Sequence, residues 1–348
     1  MNNLFIPPLD RKIGQKVSSY IDTLTKPKGS LGKLEDIALT LSKMTGEPFP
    51  IVTPPGVIVF AADHGIVEEG VSSYPKEVTT QMVMNFVNGG AAINVFSRQI
   101  GAMFKIVDIG VDGEINHENI HSKKIRYGTK NFLYEPAMTR KEAEKAVQVG
   151  FEEAEAFIQK GVKCLILGEM GIGNTTSSSA LLALITNSSV ENVVGYGTGI
   201  SDDQKKKKEE IIQKAIEKHQ IDNINDGYEI LSKVGGFEIA GMAGAMLAAA
   251  KNRIPILLDG FICTVAACIA KLIHPNVCDY MIATHRSVEQ GHSIALGFIQ
   301  KDPLIDLNLR LGEGSGAAVA YPMILSASLM LKEMATFTDA GVSEKQGD

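Results

Sequence analysis

Five short runs of the chain are apolar almost throughout and stop abruptly on polar or acidic residues: VIVFAADHG, FKIVDIGV, VKCLILGEMGIGN, IPILLDG and CDYMIATH. A strand that is apolar on both faces needs cover on both faces, and an antiparallel sheet with one wet side would alternate instead. Between the runs lie longer segments of helical character: 9–24, 33–46, about 75–98, 139–160, 174 onward, 203–218 and GGFEIAGMAGAMLAAA. Strands alternating with helices predict an α/β fold with a parallel sheet flanked by helices. In such sheets ligands collect at the carboxyl ends of the strands. Here those ends read Asp63-His64-Gly65, Asp108, Glu169-Met170-Gly171, Asp259-Gly260 and Thr284-His285.

With 348 residues, 45% of them hydrophobic, the chain can bury a substantial core. The expected organisation is one large α/β domain over 51–330. The helices of 1–50, joined by the helix-breaking TKPKGSLG, pack beside it, and 331–348 is a C-terminal segment whose end is expected to be disordered. A formal net charge of −6 argues against a nucleic-acid surface. Cys164, Cys263, Cys268 and Cys278 have no CxxC spacing and sit among apolar residues, so they read as reduced core thiols of a cytoplasmic protein. The start, MNNLFIPPLDRK, lacks the apolar core of a signal peptide. The uncharged stretch Gly314 to Leu331 contains Pro322 and several Ser and Gly, and reads as a buried helix rather than a membrane span.

Two segments carry the strongest chemical signals. GEMGIGNTTSSSAL (168–181) leaves a buried strand and opens a helix. Glycines allow backbone N–H groups to approach an anion, and the helix dipole favours it; an ordinary Ser/Thr-capped turn is the alternative. LRLGEGSGAA (309–318) sets Glu313 between glycines before a long apolar helix, as a cap or as a general base facing a ligand. Asp63 with His64, and His285 with His292, suggest a metal only weakly, since no HxH, HExxH or Cys/His cluster supports one. The KKKKEE run at 205–210 reads as a solvated helix face from which one lysine can reach a phosphate, and the Ala/Gly/Met stripe at 240–250 reads as close helix packing.

In order along the chain, TKPKGSLGKLE, ADHGIVEEGVSSYPKEVTTQMVMNFVNGGAAIN, KIVDIGV, GTKNFLYEPAMT, GEMGIGNTTSSSAL, GTGISDDQKKKK, GGFEIAGMAGA, LLDGFI, THRSVEQGH and LRLGEGSGAA resemble the nicotinate-nucleotide–dimethylbenzimidazole phosphoribosyltransferase family, from about residue 20 to 342. The resemblance implies a Rossmann-like parallel sheet, a small helical domain built from both chain ends, and a homodimer. It implies transfer of ribose phosphate from nicotinate mononucleotide to 5,6-dimethylbenzimidazole or a related base, in cobalamin nucleotide-loop assembly, with no metal or organic cofactor. It assigns Glu313 as proton acceptor and Glu169 as a second acid stabilising positive charge on the ribose. Gly171, Gly173, Asn174 and Thr175 would hold the ribose phosphate, with Ser287 and Lys208 nearby. Ser73, Tyr74, Gln81 and Met170 would line the base pocket, with Leu311 and Gly312 near Glu313. Lys28, the lysine-rich 205–208 and Tyr74 depart from the usual family pattern. A metal-dependent hydrolase using Asp63, His64 and His285 is the rival of another class, and a non-enzymatic nucleotide sensor the third reading.

Overall fold

The computed structural model describes residues 4–197 and 199–343. The expected disorder at the chain end, and Thr198 in the glycine-rich connector, lie outside the described residues. The first half of the chain forms α1 (Arg11–Ile21), α2 (Lys33–Thr45), β1 (Pro55–Ala62), α3 (Val78–Val87), α4 (Ala92–Gln99), β2 (Met103–Gly110), β3 (Ile120–Ser122), α5 (Arg140–Gln159) and β4 (Cys164–Met170). There follow α6 (Asn174–Thr186), α7 (Val190–Val193), α8 (Asp202–Lys218), α9 (Gly227–Val234), α10 (Phe237–Lys251), β5 (Ile256–Leu258) and α11 (Phe261–Ile273). The chain then makes β6 (Met281–Ala283), β7 (His285–Ser287), α12 (His292–Ile299), β8 (Ile305–Leu309), α13 (Ser315–Glu333) and α14 (Phe337–Ala340).

Six strands form one sheet in the order β3-β2-β1-β4-β5-β6, every pair parallel. The order reverses between β1 and β4, the position at which doubly wound sheets open a crevice at their carboxyl ends. Alternation along the strands assigns the two faces. Phe60 points to α10, where its ring lies against Gly241. Its neighbour Val59 pairs with Gly168, whose missing Cβ lets the backbone of Glu313 lie directly on β4. Helices therefore cover both faces, as fully apolar strands require.

The helices start where side chains can satisfy their first amides. Thr139 and Glu142 form a capping box at α5, and Ser201 and Gln204 another at α8. The Ala/Gly/Met stripe is a close-packing device. A Cβ on Gly244 would overlap the carbonyl of Val147 and one on Gly150 that of Gly241, so α5 and α10 touch through backbone. The segment 314–331 is the buried-core helix α13, with Pro322 half-way along it. No helix among the described residues is long and apolar enough to cross a membrane.

Two expectations fail locally. The single helix expected over 75–98 is broken at Asn88-Gly89-Gly90, where Gly89 has φ +75° and Gly90 lies against Asn85. CDYMIATH yields only the short β6, and no helix follows it directly. The chain passes into β7, which pairs in parallel with β8 in a separate two-stranded sheet. β8 is largely exposed and alternates apolar with polar residues, so no continuous apolar run announces it.

Candidate active site

A cavity of about 660 Å³ lies at the carboxyl ends of β4 and β5, walled on its open side by β7, by the 308–313 segment and by the loop preceding α3. Its floor is the turn from β4 into α6. Gly173 caps α6 with φ +96°, and a Cβ there would meet Val67 Cγ2 at 2.7 Å. A Cβ on Gly171 would overlap the carbonyl oxygen of Ala62. Both positions are therefore closed to larger residues, and the turn lays the positive end of the α6 dipole against the cavity, although the Asn174 and Thr176 N–H groups bond to Gly171 and Gly173 within the turn and that of Ile172 bonds to Thr79 Oγ1. Below the turn, buried His64 bonds through Nε2 to Glu238 Oε1 at 2.6 Å.

A cation stands beside this floor. Lys208 is 1% exposed, and its Nζ donates to Thr175 Oγ1 at 3.2 Å. Burial pulls its ammonium down to about 8, partly offset by Glu289. The other lysines of the run face solvent or are half-buried, as a solvated helix face predicts. Ser287 lines the same wall and is fixed by His292, whose Nδ1 accepts its backbone N–H at 2.9 Å. With Nδ1 an acceptor, the His292 Nε2–H points at Thr264 Oγ1, 3.0 Å away. Burial holds the imidazole neutral, pushing it down to about 3.

Acids gather opposite. Glu169 ends β4 and is 6% exposed; Asn174 Nδ2 donates to its Oε2, and the Glu313 backbone N–H reaches its Oε1 at 3.4 Å. Burial, with the charges of Glu238 and Asp259, pushes its carboxyl well above the usual range. Glu313 sits in a left-handed conformation, φ +63°, between Gly312 at +88° and Gly314 at +87°. A Cβ on Gly312 would overlap Glu169 Oε1, so the turn can lie against β4 only with glycine there. The Glu313 carboxyl is 6% exposed and has one oxygen, Oε2, without a partner. Burial pushes it up to about 7; the amide of Ile93, in the first turn of α4, opposes the rise, and the charge of Asp259 adds to it. A buried carboxyl on the cavity lining, raised toward neutrality and with one oxygen free of protein partners, has the properties that proton transfer at physiological pH requires.

The structure thus brings together Glu169, Met170, Gly171, Gly173, Asn174, Thr175, Ser287, Leu311, Gly312, Glu313 and Tyr74 on one cavity wall, with Lys208 bonded to Thr175 just behind it. Ser73 and Gln81 lie outside that wall. Both are exposed, and their neighbours Ser72, Val78 and Met82 line it instead. Gln81 sits three residues after Val78 on α3, so it flanks the lining stripe at the rim. Asp259 and His285, read from the sequence as strand ends but given no role in the transferase site, line the cavity, as does Glu289, which the sequence reading did not single out. Asp63, His64 and His285 do not converge. Asp63 accepts the Asp112 amide at 2.8 Å, His64 is taken by Glu238, and among the described residues no three His, Cys, Asp or Glu are grouped to hold a metal ion.

A family model described as phosphoribosyltransferase matches residues 6–342. The nicotinate-nucleotide–dimethylbenzimidazole phosphoribosyltransferase of Halalkalibacterium halodurans is 52% identical over 338 residues, covering 97% of this chain and 94% of that protein. That of Chloroflexus aggregans is 48% identical over 342 residues, covering 98% and 97%. The chain belongs to this phosphoribosyltransferase family. Solved structures agree: CobT from Thermus thermophilus superposes with a TM-score of 0.93 at 40% identity, over 96% of this chain and 100% of that one. Membership of the nicotinate-nucleotide–dimethylbenzimidazole phosphoribosyltransferases makes the chain a transferase and removes the hydrolase and sensor readings.

Proposed function

We propose that the chain transfers the 5-phosphoribosyl group of nicotinate mononucleotide to 5,6-dimethylbenzimidazole or a related base, giving α-ribazole 5′-phosphate and nicotinate for cobamide nucleotide-loop assembly. The observation that carries this reading, beside the family, is the buried Glu313 carboxyl near neutrality facing the cavity. The acceptor nitrogen attacks C1′ as the C1′–N bond to nicotinate breaks. The bonding electrons neutralise the pyridinium, so the leaving group takes no proton. The new bond makes the acceptor ring cationic, and Glu313 takes its N–H proton. Attack opposite to the leaving group converts a β- to an α-nucleotide. Glu169, against the same turn, stabilises positive charge on the ribose. The N-terminus of α6 and Lys208 hold the phosphate, with Thr175 and Ser287 beside them. Tyr74, Val78, Met82, Met170 and Leu311 supply apolar contact for the base, and Ser73 and Gln81 act from the rim. No step calls for a metal ion or organic cofactor.

The same reading takes the enzyme as a cytoplasmic homodimer with a Rossmann-like main domain over 51–330. Of the expected end segments 1–50 and 331–348, the described residues 4–50 and 331–343 make one helical unit; the bridge between Leu24 and Thr336 and the Phe337 N–H to Thr23 bond support the joining of the ends. The deciding experiment incubates purified protein with nicotinate mononucleotide and a panel of benzimidazoles and purines, and identifies products by mass spectrometry. Equimolar nicotinate and an α-nucleotide are expected. Release of nicotinate without any new nucleotide, whatever base is offered, refutes the transferase assignment of the site.

A further inference from the structure

Asp259 directly follows β5, is 3% exposed, and lies on the cavity wall. Its oxygens are nevertheless committed to the protein. Oδ1 accepts the N–H groups of Gly316 at 2.8 Å and Ala317 at 3.1 Å, and Oδ2 accepts that of Gly314 at 3.0 Å. These are the cap and first-turn amides of α13, groups with no partner inside their own helix. Gly314 has no side chain to cap them. A carboxylate from a strand 55 residues earlier therefore does the work of an N-cap, with the charge that a helix start favours. Burial raises the Asp259 carboxyl, while the amides and His285 oppose that rise. With three N–H donors aimed at two oxygens, the ionised form is the one the turn is built around.

The residue next to these amides is Glu313, held at φ +63° on a turn with its carbonyl against Gly168 and its amide at Glu169. A non-glycine residue keeps that conformation only where its surroundings enforce it. β4 supplies one side of the enforcement and Asp259 the other. We propose that Asp259 is a positioning residue of the proton-accepting site, clamping the amides behind Glu313 so that its carboxylate stays aimed into the cavity. This rests on the general-base reading of Glu313. Asp259 makes no use of a free lone pair toward substrate, so it is not itself a catalytic residue. Its charge has a second effect, because it is one of the groups facing Glu313, together with Glu169 from β4 and the Ile93 amide from α4; Glu238 in turn stands by Glu169, and His285 from β7 by Asp259.

The test uses full-length Asp259→Asn, Asp259→Glu and Glu313→Gln proteins. Asp259→Asn turns an acceptor into a donor facing the Gly314 N–H and removes the charge. Its kcat should fall about tenfold to a hundredfold, the scale of a small misplacement of a reacting group. Binding of nicotinate mononucleotide, measured by calorimetry, should stay within about threefold, since a uniform loss of binding is not what misplacing one group produces. The acid limb of kcat/KM should move to lower pH, which a merely structural role would not cause. Asp259→Glu keeps the charge but shifts it, so kcat should fall with the limb unmoved; this variant decides the matter if Asp259→Asn does not fold. Near wild-type kcat and an unmoved limb in Asp259→Asn, or near wild-type kcat in Asp259→Glu, overturns the proposal while an inactive Glu313→Gln leaves the general base standing. An active Glu313→Gln removes the general-base reading and this proposal with it.

Discussion

Replacing Glu313 by glutamine should make the protein less active and, above neutral pH, more stable. The carboxyl is 6% exposed, and its titration is raised from 4.5 to about 7 in the folded chain. A difference of that size between folded and unfolded states corresponds to about 3 kcal/mol. The sign follows from proton uptake. Below 4.5 the group is protonated in both states and its stabilising contribution is complete. Between 4.5 and 7 the unfolded chain ionises while the folded chain holds its proton, and the contribution is lost as pH rises through about 7. Glutamine has no proton to lose. The stability difference between variant and wild type should therefore be flat below about pH 4.5, climb toward about 3 kcal/mol by about pH 8, and appear as a rise of a few degrees in Tm. Asp63, Glu169 and Asp259 titrate in both proteins and largely drop out of the difference. The loss of the Glu313 acceptor for the Ile93 amide adds a constant offset, so the slope with pH is the quantity to read. Because the chain has no Trp, unfolding is followed by circular dichroism. Over the same range kcat should fall about 10²- to 10⁴-fold, the contribution of a positioned base. A stability difference that stays level from about pH 4.5 to about pH 8 would refute the argument that Glu313 is buried at a cost in the folded state.

Glu169→Gln should slow transfer and also slow hydrolysis of nicotinate mononucleotide measured without acceptor, whereas Glu313→Gln should affect that hydrolysis less; equal effects on both reactions would merge the two roles. Gly173→Val should weaken donor binding at least about tenfold by calorimetry, since the backbone there has φ +96° and Val67 fills the space of a Cβ; unchanged affinity in a folded variant places the phosphate elsewhere. Lys208→Met should lose about ten- to a hundredfold in donor affinity, the worth of a charge-assisted hydrogen bond. In the wild type the donor KM should rise as pH passes about 8, where the free lysine loses its proton, and the variant should lack that rise. Activity should survive exhaustive EDTA treatment; loss restored only by a divalent ion would reopen the question of a metal.

Fully apolar runs made the parallel sheet legible, because no other arrangement covers both faces of such strands. The close-packed glycine turn into α6 was legible for a related reason: glycines straight after a buried strand have few uses. Gly171 and Gly173 are indeed closed to side chains by Ala62 and Val67. What the sequence withheld is whatever depends on long-range partners. β8, IDLNL, alternates apolar and polar residues over only five positions, too short a signal to stand out, and it forms as a strand beside β7. The break at Asn88 to Gly90 competed with strong helical patterning on both sides. Lys208 looks like its three lysine neighbours, and only the packing of α8 on α6 buries this one. Asp259 was visible as a strand end, but its task is set by amides 55 to 58 residues later, which local pattern cannot pair with it. The family resemblance assigned a role to Glu313 that the residues alone left open between cap and base, and to Glu169, which the residues alone marked only as a strand end.

The distribution of charge in the cavity bears on which ligand it accepts. One end has the start of α6, with Lys208 just behind Thr175; the other holds Glu169, Asp259 and Glu313, with Glu238 behind them. Several carboxyls in so little solvent cannot all ionise without a compensating cation. The described residues supply few near them: His64 is already paired with Glu238, and His285 lies 3.8 Å from Asp259. Such a site disfavours an anionic group at its acidic end and rewards positive charge that arrives with the ligand or builds during reaction. A nucleotide with its phosphate at one end and a pyridinium at its anomeric carbon matches this polarity. On leaving, nicotinate carries no positive charge away; the charge passes to the ribose and then to the acceptor ring. In the proposed reaction Glu169 meets it first and Glu313 then ends it by taking the proton. The cost of burying the carboxyls is thus offset only along the reaction path, which is where stabilisation raises the rate rather than merely the affinity.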